Sequence, residues 1–490
     1  MRLYFVLLFI YFFSQSVIAQ NNQSYEEFRA NIMSGYHSFR NGVLENYADF
    51  LDGIWRNYEL FKSDRPDLVP KPDDVPKVDD DPTLPKPINI PIELDSIDTP
   101  LKPKQPSLDN ISDEPTIDKV IPSEVPQTPD IPKIDNSIQV KFYGLSIGLP
   151  SKRTMFKNGA LQRNQIAKYW RALEKDGWQQ IVPILLEYKR QYNYSDFMYY
   201  LLVSNYACEI ESDITKRCVI KLFLLVHSGY DARIAYHNDT LVLLLPFANQ
   251  LYACTYIVQN GIKYYLFHEN NLTSNGSIYS YDLPTKQNNL KLFYANLLDN
   301  PHVAVAHKEF YISDGRLTIF GDVNKNLIDL LEDLPQMSNV LYAYPILDND
   351  CRTQIVTSLQ KQLEGMSKVE ALQALLHFMH YAFTYATDQV QFGKEKPFFF
   401  EELLYYPKCD CEDRSVFFAY LVKQVLGLDC HLVDYPGHIA VAVSIEGVTG
   451  TYYNYNGRKF YITDPTYIGA SIGECMPDYV NTKPKLLILK

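Results

Sequence analysis

Three side chains near the C-terminus have the types and order that thiol chemistry needs: Cys411, His438 and Asp464. A thiol attacks a carbonyl once a base has taken its proton, and a carboxylate orients that base and supports its charged form. Cys411 lies in Lys408-Cys409-Asp410-Cys411-Glu412-Asp413-Arg414-Ser415, ahead of the apolar block Val416–Leu426 and Gly427. That block predicts a buried helix with a glycine C-cap, and acidic Glu412 and Asp413 suit its first turn. Cys411 is therefore expected at a helix N-terminus, where the dipole lowers a thiol pKa and a backbone N–H is available to an oxyanion. Cys409 is the rival nucleophile, but it precedes the acidic turn.

His438 opens the apolar run Ile439-Ala440-Val441-Ala442-Val443, expected as a strand buried on both faces. Lys459–Thr463 reads as a further strand, and Asp464 ends it with Pro465 next in the chain. An aspartate so placed can accept a hydrogen bond from the imidazole. His431, inside the preceding strand-like run, is the rival base. Gln389 and Gln391 are candidates for a second oxyanion donor. No zinc-spaced ligand set and no phosphate-cradling glycine loop occurs, so neither metal nor cofactor is implied.

The stretches Asp410-Cys411-Glu412-Asp413-Arg414, Gly437-His438 and Tyr461-Ile462-Thr463-Asp464-Pro465-Thr466 resemble the transglutaminase-like superfamily, a papain-like fold. The upstream runs Phe383–Asp388 and Gln391–Pro397 are similar to secreted Bacteroidetes members of that group. The resemblance covers about residues 365–470, roughly a fifth of the chain. It implies Cys411, His438 and Asp464 as catalytic residues and a peptide or protein as substrate. Resolution of a thioester by water would make a peptidase or amidase, and by a lysine amine a crosslinking transglutaminase. A non-catalytic secreted binding or scaffold protein that retains the fold is the alternative.

Several elements must support such a site in a chain of 490 residues, which is too long for one core. The fold class expected is α+β, rich in the aromatics that pack well on sheets. Residues 1–19 read as a secretory signal peptide, with Arg2, an apolar run from Leu3 to Phe13, and Val17 and Ala19 before the cut. The mature protein is then expected to be secreted or periplasmic. Residues 20–63 carry an apolar stripe through Phe28, Ile32, Tyr36, Phe39, Val43, Tyr47 and Trp55, the pattern of an amphipathic helix. Residues 64–137 hold sixteen of the 29 prolines and read as an extended linker. Together these two segments are a candidate docking arm for an envelope or surface partner. The net charge of −12, with scattered Lys and Arg, argues against nucleic acid. Eight cysteines spread over so long a chain leave room for one or two disulfides whose pairing the sequence leaves open.

Residues 138–330 are expected to form an α+β domain, and residues 331–490 the domain with the triad. The first of these is a candidate degenerate copy of the second. Matching Gly229 to Gly427 sets Asp213 against Cys411 and Thr240 against His438, and a small shift sets His268 against Asp464. Unlike strand orders in the two domains would end that idea.

Overall fold

A computed structural model describes residues 47–65, 71–72, 74–78, 92–93, 136–154, 156, 160–237, 240–268, 278–281, 291–295, 301–343, 349–406 and 408–489. The signal peptide and most of the helical arm lie outside the described residues. The protein is α+β and divides into two compact units. The first takes residues 1–62, 125–249 and 254–297, and the second residues 63–124, 250–253 and 298–490. The expected boundary at 330 is thus too late. The hairpin β10 (His307–Ser313) and β11 (Thr318–Asn324) and helix α6 (Lys325–Glu332) belong with the second unit.

Two short pieces also correct the arm. Helix α1 (Tyr47–Asp52) stops at Gly53, and β1 (Trp55–Tyr58) and β2 (Phe61–Ser63) follow as strands rather than more helix. Trp55 pairs with Tyr281 across the sheet. Aromatic residues at three-to-five spacing fit a helix stripe, but strand pairing removes the same rings from water and won here.

In the first unit the hairpin β3 (Ser137–Phe142) and β4 (Leu145–Pro150) leads to helices α2 (Ile166–Lys175), α3 (Val182–Gln191), α4 (Asp196–Ile210) and α5 (Ile214–His227). Helix α4 was not anticipated, because its aromatic and aliphatic residues run all round and leave no polar face to mark a period. Strands β5 (Arg233–His237), β6 (Thr240–Pro246), β7 (Cys254–Gln259), β8 (Ile262–Phe267) and β9 (Ile278–Tyr281) complete a seven-stranded sheet of order β1-β9-β5-β6-β8-β7-β2.

The second unit continues with α7 (Asn349–Gln362), α8 (Lys368–Ala382), α9 (Phe400–Tyr405), β12 (Lys408–Cys409) and α10 (Cys411–Leu426). Then come β13 (Cys430–Tyr435), β14 (His438–Val443), β15 (Tyr452–Tyr455), β16 (Arg458–Thr463) and β17 (Lys485–Leu487). Its main sheet has the order β17-β13-β14-β16-β15, with the two-residue strand Ile92–Glu93 on the edge.

In both units a helix is followed by strands in the same spatial order, the fifth beside the first, then the second, fourth and third. The registers agree as well. His237 faces Thr240 as Tyr435 faces His438, and Leu243 faces Phe267 as Val441 faces Thr463. Tyr256 faces Tyr265 as Tyr452 faces Tyr461. The core positions repeat in turn. Ala235, Val242, Leu244, Ile257 and Tyr264 of one apolar cluster stand where Val433, Ala440, Ala442, Tyr453 and Phe460 stand in the other. A one-residue slip would turn every one of these side chains to the other face, so agreement in register is a stringent match. The like strand order required of an internal duplication is therefore present.

Candidate active site

Helix α10 begins at Cys411 because Asp410 caps it. The Asp410 carboxylate accepts from the Glu412 amide at 3.2 Å, while the Asp410 amide donates to the Asp413 carboxylate at 3.2 Å, a reciprocal capping box. Gly427, at φ 64°, ends the helix in the left-handed conformation. Its start is tied to β14 by the Ser415 hydroxyl, which donates to the Ile439 carbonyl at 2.8 Å. The Ile439 amide lies near enough to the Cys411 sulfur to favour its thiolate form. The residue after the thiol's first helical turn is thus tied to the residue that follows His438.

His438 opens β14 after the two-residue turn Pro436-Gly437, where Gly437 takes the φ of 76° that the turn needs. Its Nε2 lies 2.8 Å from Asp464 Oδ2. The other Asp464 oxygen accepts from the amides of Thr466 at 2.9 Å and Tyr467 at 3.2 Å. With Nε2 engaged by Asp464, Nδ1 is the imidazole nitrogen left for the thiol. Tyr479 stacks on the imidazole, centroids 5.3 Å apart and rings 15° from parallel. His380 braces the far side. Its Nδ1 accepts from the Gly469 amide at 3.3 Å, so Nε2 donates to the Asp464 carbonyl at 2.9 Å. Burial lowers the His380 pKa, which keeps that tautomer neutral.

The three predicted residues are thus gathered in one place, and all are buried: Cys411 is 0% exposed, His438 2% and Asp464 2%. Two open cavities of about 450 and 410 Å³ belong to the first unit and hold none of them. The rivals play other parts. Cys409 is buried on β12, its thiol pushed up to about 12 by burial. His431 stacks on Phe460 at 4.6 Å and accepts from the Leu489 amide at 3.2 Å, and burial drops its pKa to about 4. Gln391 donates to the Lys408 carbonyl at 3.2 Å and Gln389 is exposed, so no hydrogen bond among the described residues brings either to the triad. No disulfide joins the described cysteines, which leaves Cys411 a thiol.

One expectation about the thiol is corrected. Burial raises its pKa well above the ordinary value, and Asp410 and Glu412 add to the rise, against Lys71 and the Ile439 amide. The acidic residues that suit a helix N-terminus also repel a thiolate a few ångströms away, and in a dry site that repulsion is little screened.

The acidic cluster is larger than the sequence suggested. Asp388, Asp410 and Glu412 bring carboxylate oxygens within 4.8 Å of one another. The cation among them is the Lys71 ammonium, 2.8 Å from Asp410, 3.0 Å from Glu395 and in contact with Glu412. Arg65 adds a second positive charge, 3.4 Å from Glu412. Against burial, these two cations hold Glu412 down at about 2. Burial, then Asp410 and Glu412, push Asp388 up to about 9, and burial, then Glu412, push Glu395 up to about 7. Lys71, Tyr385, His380 and Tyr479 were all missed from the sequence. A lysine in a proline-rich run carries no local sign of a partner 339 residues away.

Comparison of the chain with family models, curated proteins and solved structures found no match in any of the three. What the fold and site define is an α+β protein with a buried imidazole–carboxylate pair and a buried thiol at a capped helix start.

Proposed function

We propose that this chain is an exported, cysteine-dependent acyl-transfer enzyme with a papain-like, transglutaminase-like second unit. It acts as a peptidase or amidase on a peptide or protein. The observation that carries the reading is the His438–Asp464 hydrogen bond at the head of a strand whose next residue, Ile439, is tied by Ser415 to the capped helix start that bears the buried Cys411.

In this reading His438 Nδ1 takes the Cys411 proton as the sulfur attacks an amide carbonyl. The imidazolium so formed is stabilised by Asp464, whose second oxygen is already held by two backbone amides. The Cys411 amide, at the first helical position and without an intrahelical acceptor, faces the developing oxyanion. Collapse of the tetrahedral species expels the amine, which leaves with the proton from His438, and a thioester remains. Water then cleaves the thioester with His438 as base. A lysine amine in place of water gives the crosslinking variant of the same chemistry.

A neutral alkylating probe should label Cys411, and His438→Ala should abolish the labelling. A peptide library supplied with a tagged amine separates hydrolysis from crosslinking by product mass. The complete burial and raised pKa of Cys411 favour a second reading, a binding protein that keeps the fold without turnover. A Cys411 thiol that an alkylating probe leaves unlabelled in the folded protein would decide for it.

A further inference from the structure

We propose that the outward face of the β10–β11 hairpin is a docking platform for an extended polypeptide segment that carries arginine at alternate positions. The inference stands apart from the thiol chemistry, because the platform uses none of the residues around Cys411.

Tyr311 and Phe320 face each other across the two strands, and both are left in water, 73% and 54% exposed. Two residues along each strand, and so on the same face, Glu309 stands opposite Asp322, and both are exposed. Like charges set directly opposite on antiparallel strands repel. Among the described residues, no lysine or arginine forms an ion pair with either carboxylate. The hairpin's own Lys308 belongs to the other face, its ammonium 3.7 Å from the centroid of the Tyr405 ring. The outward face therefore presents two rings and two uncompensated negative charges side by side.

The inward face holds the platform still. Ile319 and Val323 are buried, and the Gln362 side chain of α7 accepts from the Thr318 amide at 2.9 Å and donates to the Thr318 carbonyl at 2.8 Å. At the turn, the Asp314 carboxylate meets His377 of α8 at 2.6 Å. A preformed surface spares a ligand the cost of ordering it.

The spacing selects the ligand. Paired side chains stand about 5 Å apart across the strands, and the acidic and aromatic pairs are about 7 Å apart along them. Residues i and i+2 of an extended peptide share a face at that same interval. One basic side chain then lies between Glu309 and Asp322 while the next lies over Tyr311 and Phe320. Arginine suits both places better than lysine, because its planar group forks onto carboxylates and stacks on rings. The net charge of −12 adds attraction at longer range.

The test is fluorescence anisotropy of a labelled Arg-Ser repeat peptide titrated with the full-length protein. Glu309→Gln with Asp322→Asn should weaken binding about tenfold or more, and Tyr311→Ser with Phe320→Ser by a similar factor. Glu364→Gln with Glu446→Gln removes the same charge from exposed positions elsewhere in the second unit and should leave binding unchanged. Neutralising the opposed acids also relieves their repulsion, so the melting temperature should hold or rise, which separates lost binding from lost folding. That variant decides the matter if the serine variant fails to fold. An Arg-Arg-Ser-Ser repeat of equal charge should bind more weakly, and equal binding of the two peptides would refute the alternate spacing. No binding by the unaltered chain, or equal binding by the hairpin and control variants, overturns the platform.

Discussion

The two units carry one sheet pattern and two different sets of side chains at the points where chemistry would occur. In the second unit the helix opens Asp410-Cys411, the second strand opens with His438, and the residue after the fourth strand is Asp464. In the first, the helix opens Asp213-Ile214, the second strand opens with Thr240, and the residue after the fourth strand is His268. The capping aspartate is common to both. Asp213 accepts from the Thr215 and Lys216 amides at 3.0 Å each, doing for its helix what Asp410 does for the other. That shared cap moves the counterpart of Cys411 one residue along, from Asp213 to Ile214. The capping residue is the same where each helix needs it, while the side chains at the other three positions differ. Architecture therefore places side chains without supplying the reaction.

The polar interiors differ in a parallel way. The first unit buries Arg233 against Asp231 at 3.1 Å, and Tyr264 donates to the same carboxylate at 2.6 Å. By register Arg233 stands where His431 stands in the second unit, facing Leu244 as His431 faces Ala442. The first unit thus neutralises this buried acid with a strand residue of its own. The second leaves its acids at the helix start and takes Arg65 and Lys71, from well before its own helix in the chain, to neutralise them.

The contrast can be broken by experiment. The largest expected effect is at Cys411. Cys411→Ala should remove acyl-enzyme formation in whole-protein mass spectrometry, whereas Ile214→Ala should leave it intact. A thioester that survives Cys411→Ala would move the chemistry elsewhere. Next, His438→Ala should slow turnover by about a hundredfold or more, the usual loss of a positioned general base, while Thr240→Ala should not. Rates are compared on whichever library peptide the unaltered chain processes. Equal losses in the two would show that the units act alike.

Stability provides the third comparison. Asp410→Ala strips a buried lysine of a partner and uncaps a helix, so it should cost about 3 kcal/mol or more. Asp213→Ala only uncaps one and should cost about 1 kcal/mol. Urea unfolding followed by hydrogen exchange resolves the two units separately. Similar losses would mean that the Lys71 contacts contribute little.

The smallest effect is in pH dependence. The folded second unit holds Asp388 at about 9 and Glu395 at about 7, both above their unfolded values. A raised carboxylate contributes stability that is complete below its unfolded pKa of about 4 and is lost as pH rises through the folded one. The second unit should therefore weaken from about pH 4 towards pH 9, and Asp388→Asn should flatten that slope. Glu412, held at about 2, acts oppositely, and its contribution is lost only as pH falls below about 4.5. In the first unit Asp213 is lowered, despite its burial, by Thr215 and the helix amides, so stability there should hold or rise over the same interval. A second unit that instead gains stability on going alkaline would contradict the buried acidic cluster.

Much of the second unit was legible because its signals are local. An acidic first turn, an apolar block and a glycine stop mark α10 within a single stretch of chain, and apolar runs mark β14 and β16. The order of Cys411, His438 and Asp464 on those elements follows from the same short-range rules. The shared order of helix and strands in the two units was legible for the same reason, though cap geometry was needed to set its alignment by one residue.

What only the tertiary structure decided depends on partners far along the chain. Trp55–Tyr58 reads as helix by spacing and is a strand because Tyr281 lies opposite. Lys71 reads as linker and lies at the start of α10 because Asp410 and Glu412 are buried there and need positive charge to neutralise them. The thiol's pKa follows the same logic. From its neighbours in sequence Cys411 is a helix-start thiol with a lowered pKa, and burial beside two carboxylates reverses that direction. Caps and periodicity act over a few residues and can be read along the chain. Burial and charge balance are sums over everything that folding brings near.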